Sequence, residues 1–144
     1  MKVLLDTSVL VAAMVEAHPA HEKSLPWLQR IKKGSDSGLV SAHSVSELYA
    51  ILTTLPIKPR ISPLVAYNLI QRNVFDLCEV LPLSAEDYSA VIKHLSEEGI
   101  TGGVTYDAVI LYAAIRGKAD RIVTLNESDF RRIYPQMTEQ IVSP

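Results

Sequence analysis

The chain has 144 residues, a formal net charge of −2 and 48% hydrophobic residues, which suits one compact domain over residues 1–144 with a core that needs no disulfide or metal staple. The charge balance lacks the basic excess with which many proteins attract nucleic acid, and the single cysteine, Cys78, excludes an intrachain disulfide. No apolar run approaches the roughly 18 residues of a membrane span. The opening run Val3-Leu4-Leu5 meets Asp6 at once and is too short for a signal peptide, so the expectation is a soluble, cytoplasmic protein.

Val3-Leu4-Leu5 reads as a short buried strand. Thr7 or Ser8 then caps a helix through Val15 that is apolar on nearly every face and needs cover on all sides. His18-Pro19 opens a second, amphipathic helix with Leu25, Trp27, Leu28 and Ile31, and the segment 34–38 is a turn. Leu39-Val40-Ser41 reads as a second strand, and a third helix runs from His43 to Leu55. Three prolines (Pro56, Pro59 and Pro63) mark a loop before a fourth helix from Leu64 to Val74. A third strand follows from Cys78 to Leu83, where Cys78 reads as a small buried hydrophobe. Ser84 caps a fifth helix, with Asp87 closing a capping box. A glycine-rich loop spans 99–103, a sixth helix Thr105 to Arg116, a fourth strand Arg121 to Thr124, and a short final strand 140–142. Short apolar strands alternating with helices predict an α/β fold, a three-layer α/β/α sandwich with a mainly parallel central sheet.

In such folds, sites form beyond the carboxyl ends of the strands, and acidic residues gather there. Asp6 ends the first strand. Glu47 follows the second, one turn into its helix. Asp107 leads the very apolar helix Ala108–Ile115, and Asn126, Glu127 and Asp129 follow the fourth strand. Singly, each has a plain structural explanation as a cap, a dipole-favoured acid or a solvated surface group. Together they suggest hard oxygen ligands for a divalent cation, because a desolvated carboxylate needs a positive partner and no lysine or arginine stands near Asp107 in sequence. Zinc fits less well: His18 and His21 are a lone His-x-x-His without a cysteine pair, while His43 and His94 read as surface or capping residues. The glycine-rich loop lacks the Lys-Ser/Thr of a phosphate-binding P-loop. Asp6-Thr7-Ser8 lacks the second Asp of the haloacid dehalogenase phosphatases.

Four segments carry a resemblance. Residues 3–10 (Val3-Leu4-Leu5-Asp6-Thr7-Ser8-Val9-Leu10) resemble the opening motif of the PIN-domain family, and Ser44-Val45-Ser46-Glu47-Leu48 its second acidic motif. Thr105-Tyr106-Asp107-Ala108 and the residues after it resemble the third, and Val123-Thr124-Leu125-Asn126-Glu127-Ser128-Asp129-Phe130 the closing one. The order and spacing match, and the size is that of the VapC-type toxins of toxin–antitoxin pairs. The resemblance implies an endoribonuclease dependent on Mg²⁺ or Mn²⁺, with Asp6, Glu47 and Asp107 as metal ligands and Thr7 and Thr124 supporting them. Asn126 stands where many members have Asp, which leaves Asp129 to supply charge through a water. Lys58, Arg60, Arg116, Arg131 and Arg132 are candidates for phosphate contacts on an RNA substrate. A homodimer and a small antitoxin are the implied protein partners. A catalytically inactive RNA-binding module, or a phosphatase or DNA nuclease on the same site, is the competing reading.

Overall fold

The computed structural model describes residues 1–144. The elements are β1 (Lys2–Leu5), α1 (Thr7–Met14), α2 (His21–Lys32), β2 (Ser37–Ser41), α3 (Ala42–Leu52), α4 (Pro63–Ile70), β3 (Cys78–Leu81), α5 (Ala85–Glu97), α6 (Val104–Arg116), β4 (Arg121–Val123), α7 (Glu127–Ile133) and β5 (Ile141–Val142). The strands form one sheet in the order β3-β2-β1-β4-β5, and every pairing is parallel. The expected sandwich is therefore the observed one, with a sheet that is parallel throughout.

The period of two along each strand assigns residues to the two faces. Val3 and Leu5 of β1, Val40 of β2 and Val123 of β4 join one core with α1, α2, α3 and α4. Leu4, Leu39 and Ile122 point the other way, into a second core with α5, α6 and α7. Leu4, Leu5 and Ile122 are fully buried, and each such side chain contributes about 1.5–3 kcal/mol of transfer free energy. Helix α1, apolar nearly all round, is buried along most of its length, as its composition requires.

Several boundaries differ from those read in the sequence. The cap of α1 is Asp6, one residue earlier than expected: its side chain accepts from the Thr7 amide at 2.8 Å. Helix α2 begins at His21 and takes Pro26 inside it. Helix α3 stops at Leu52 rather than Leu55, because the Thr53 and Thr54 hydroxyls turn back onto the carbonyls of Tyr49 and Ala50 at 2.7 Å each. Helix α4 gives way after Ile70 to a π-helical turn, Gln71–Phe75. The capping box of α5 is present, with Asp87 N–H donating to Ser84 Oγ at 3.1 Å and Ser84 N–H to Asp87 Oδ2 at 3.0 Å.

Sheet order places the functional region. From β1 the chain winds outward to β2 and β3 on one side, and later to β4 and β5 on the other. Neighbouring crossovers leave in opposite directions between β1 and β4, which opens a crevice at their carboxyl ends. Asp6 lies there, tied to the partner strand by its own amide, which donates to Val123 O at 3.0 Å.

Candidate metal centre

Asp6 is 2% exposed and accepts three hydrogen bonds. The Thr7 amide serves Oδ1, while the Ser8 hydroxyl at 2.6 Å and the Thr124 hydroxyl at 2.8 Å serve Oδ2. Each hydroxyl has one proton and gives it to the carboxylate, so each is free to accept from behind. Ser8 Oγ accepts from Leu125 N–H at 3.1 Å, and Thr124 Oγ1 from Asn126 N–H at 3.0 Å. Two hydroxyl relays thus fasten Asp6 to the segment that follows β4. Burial pushes the Asp6 carboxyl above its ordinary range, while the three donors pull it back.

Glu47 reaches the same crevice from α3. Its Oε1 lies 2.9 Å from Thr7 Oγ1, which lies 2.8 Å from Ser44 Oγ. A carboxylate can only accept, so Thr7 donates to Glu47 and receives from Ser44. Asp107, in the first turn of α6, completes the cluster; Asp6, Thr7, Ser8, Glu47, Asp107 and Asn126 all line one cavity of about 150 Å³. Asp107 is half-buried and no protein donor hydrogen-bonds to it. Burial, and then the negative charges of Asp6, Asp129 and Glu47, push its carboxyl up to about 7.

No three His, Cys, Asp or Glu side chains stand close enough together to clasp a metal ion unaided. Asp6 accepts three protein hydrogen bonds and Glu47 one, on Oε1, so each keeps acceptor capacity, while Asp107 accepts none and has the most. Mg²⁺ keeps several waters and is commonly held by one or two carboxylates, so this all-oxygen, uncompensated acidic cavity fits a hydrated hard cation. Larger cavities exist, but the one bounded by Ala114, Lys118 and Met137, of about 360 Å³, carries no carboxylate.

The remaining candidates divide. Asn126 lines the cavity, whereas Asp129 stands outside it, its side chain 46% exposed and 3.9 Å from Arg132. Asp129 therefore acts on the cluster through its field, chiefly on Asp107. Arg116 lies beside Asp87 at 3.6 Å, and Arg131 beside Glu127 at 2.9 Å, so local acids occupy both. Lys58 and Arg60 stay exposed in the segment between α3 and α4.

Neither His43 nor His94 is a surface or capping residue. His94 Nε2 lies 2.6 Å from Ile133 O, and its ring stacks on Tyr134 with centroids 4.2 Å apart. His43 stacks on Tyr106 at 5.3 Å and 5°, and its Nε2 lies 3.4 Å from Glu47 Oε1 without the alignment of a hydrogen bond. Sequence reasoning assigned no site role to Ser8, Ser44, His43 or Tyr106. The serines had a signal: a carboxylate desolvated at a strand end needs donors, and adjacent hydroxyls are the nearest supply.

Comparison with known proteins identifies the family. Residues 3–135 match the PIN domain family. Ribonuclease VapC40 of Mycobacterium tuberculosis is 36% identical over 110 residues, covering 76% of this chain and 75% of that protein. Ribonuclease VapC27 of the same organism is 29% identical over 116 residues, covering 81% and 79%. Among solved structures, VapBC2 from Rickettsia felis, crystallised with a DNA fragment from its promoter, superposes with a TM-score of 0.68 at 20% identity, covering 100% of this chain and 99% of that one. With its family match spanning nearly the whole sequence, the chain belongs to the PIN-domain family and is of the VapC type.

Proposed function

We propose that the chain is an endoribonuclease dependent on Mg²⁺ or Mn²⁺, acting as the toxin of a toxin–antitoxin pair. Asp6, Glu47 and Asp107 hold the ion, directly or through its waters. Asn126 orients a water or phosphate at the cavity wall, and Asp129 adds charge from outside. Thr7 and Thr124 keep the first two acids in place through the hydroxyl contacts described above. The observation that carries this reading is Asp107: a half-buried carboxylate with no protein donor, set among three other acids at the strand-end crevice. Such a group lowers its free energy most by gaining a cation.

A divalent ion there supplies positive charge to a phosphodiester oxygen and makes a water acidic enough to attack. The chain's own groups do the rest. Asp6, locked by three donors, fixes the position of the negative charge. Ser8 and Thr7 donate to Asp6 and Glu47 and so hold these acids in place at the cavity wall. Single-stranded RNA, or a loop of a structured RNA, is the substrate best suited to bend into the crevice, and a cytoplasmic location is part of the same proposal. The protein partners proposed are a small antitoxin, by kinship with the VapC relatives, and a second copy of the chain. The exposed Leu64, Val65 and Tyr67 of α4 favour such a homodimer.

The test is cleavage of RNA by the purified protein. Cutting requires Mg²⁺ or Mn²⁺, stops with EDTA, and is lost in Asp6→Asn and Asp107→Asn. Full cleavage in EDTA, or by both variants, would sink the proposal.

A further inference from the structure

The cavity has an acidic lining and no basic one. Asp6, Thr7, Ser8, Glu47, Asp107 and Asn126, with Ile51 and Ile110, include no lysine or arginine. An RNA strand entering it gains nothing from cationic side chains on the walls. Within the cavity, affinity would come from the ion and from uncharged contacts, of which base stacking on aromatic rings is a common form.

One aromatic ring is placed to provide it. Tyr106 precedes Asp107 in the first turn of α6 and is 55% exposed. Its ring is not a free surface side chain. The nearly parallel imidazole of His43 stacks on it with an offset, at 5.3 Å and 5°, and with 55% of the residue exposed much of the ring surface still meets solvent. His43 is itself confined: its side chain is 24% exposed, and its Nε2 lies 3.4 Å from the Glu47 carboxylate one helical turn along α3. The chain of contacts Glu47–His43–Tyr106 therefore starts from a cavity residue, ends on the sequence neighbour of a second one, Asp107, and bridges α3 to α6. His43 Nε2 is buried without a hydrogen-bond partner, so the imidazole is held by stacking and by the carboxylate's field rather than by a bond of its own. A ring pre-ordered in this way loses little conformational entropy when a second flat group settles on it.

We propose that the His43–Tyr106 stack is a nucleobase platform. The exposed ring surface of Tyr106 receives a base flanking the phosphate that sits in the acidic cavity, and so positions single-stranded RNA for cleavage. Stacking tolerates every base and favours those with the larger π-face, so the platform gives a purine preference rather than strict sequence readout. The proposal rests on the ribonuclease reading above.

The experiment separates the two. Oligoribonucleotides with hydrolysis-resistant methylenephosphonate linkages, intact or with one abasic position moved along the strand, are titrated by fluorescence anisotropy against the parent, Tyr106→Phe, Tyr106→Trp and Tyr106→Leu in Mg²⁺. Cleavage of unmodified RNA is measured alongside. The parent should lose affinity at one or two abasic positions, and Tyr106→Leu should lose about tenfold on the intact strand and become insensitive to abasic placement. Tyr106→Phe and Tyr106→Trp keep the parent's behaviour, because the ring and not the hydroxyl does the binding. In cleavage the loss for Tyr106→Leu falls on KM rather than kcat. Equal affinity of Tyr106→Leu and the parent overturns the platform, as does equal damage from Tyr106→Phe and Tyr106→Leu, or a parent indifferent to every abasic position. A parent that fails to cut RNA in Mg²⁺ overturns the ribonuclease reading instead, and the binding titration still decides the platform.

Discussion

Asp107→Asn should stabilise the metal-free protein, and by an amount that depends on pH. The Asp107 carboxyl is pushed from an ordinary 3.8 to about 7, first by burial and then by Asp6, Asp129 and Glu47. Between those values the folded chain holds a proton that the unfolded chain has released. Stability therefore falls as pH rises from about 4 to about 7, and is flat above. A gap of about three pH units at ~1.4 kcal/mol each sets a ceiling of about 4 kcal/mol. Solvent reaches the half-buried group and its neighbours relax, so roughly half of that, about 2 kcal/mol, is a reasonable magnitude. Asparagine carries no charge at any pH and can donate to the acids around it. In EDTA at pH 8 the variant should melt roughly 5–10 °C above the parent, with the difference closing towards pH 4. Added Mg²⁺ should raise the parent's melting temperature and leave the variant's unchanged. Thermal melts followed by circular dichroism from pH 4 to 8 make the measurement. A variant that melts at or below the parent at pH 8, or a difference independent of pH, refutes the reasoning.

Asp6→Asn removes the same charge but faces two hydroxyl donors and an amide, so it should be neutral or destabilising by about 1–3 kcal/mol, against the gain at Asp107; urea unfolding in EDTA compares them. Thr124→Val keeps the shape yet deprives Asp6 of a donor and the Asn126 amide of an acceptor, and should cost about 1–3 kcal/mol in the same assay; a loss below about 0.5 kcal/mol would show the relay to be dispensable. Gly38→Ala should cost about 1–3 kcal/mol, because its new Cβ would meet Cys78 Sγ at 2.6 Å and Ile31 Cγ2 at 2.9 Å, and an unchanged urea midpoint would refute that close fit. In calorimetric Mg²⁺ titrations Asn126→Asp should bind modestly tighter than the parent, and Asp129→Asn should weaken binding less than Asp107→Asn; equal damage from the last two would make Asp129 a direct ligand.

Much of the fold was legible because strand and helix periods are written in the apolar residues. Leu4 between Val3 and Leu5 forecasts a strand buried on both faces, and it separates the two cores as expected. Element ends were less legible, because they are set by side-chain hydrogen bonds whose partners periodicity does not reveal. The end of α3 depends on which carbonyls Thr53 and Thr54 choose, and the start of α1 on Asp6 reaching the Thr7 amide. At the site, the types and order of the acids pointed to the crevice, and the structure brings Asp6, Glu47, Asp107 and Asn126 to one cavity. Sequence could not tell that Asn126, the cap of α7, lines the cavity while Asp129, three residues on, turns towards Arg132 outside it. The His43–Tyr106 pair was illegible for a different reason. It joins helices 63 positions apart in the chain, and no local pattern marks a stack across that distance.

The two aspartates divide the work of the crevice. Asp6 is the more buried, yet its charge is already met by an amide and two hydroxyls, so its carboxylate is held in place before any ion arrives. Asp107 has no such donors, and its charge must be balanced from outside or neutralised by a proton. A site with two Asp6-like acids would be rigid and stable but would attract a cation less strongly, because much of each charge is already met by protein donors. A site with two Asp107-like acids would attract strongly but remain half-protonated near neutral pH and poorly positioned. On the metal-dependent reading proposed above, pairing one of each would fix geometry with the first and draw charge with the second. The hydroxyls that make this possible are Ser8, in the first turn of α1, and Thr124, directly after β4, where the parallel sheet brings Asp6 and Thr124, 118 positions apart in the chain, into hydrogen-bond contact. The stability sacrificed at Asp107 is affordable because the two cores lie beneath the site and are closed independently of it.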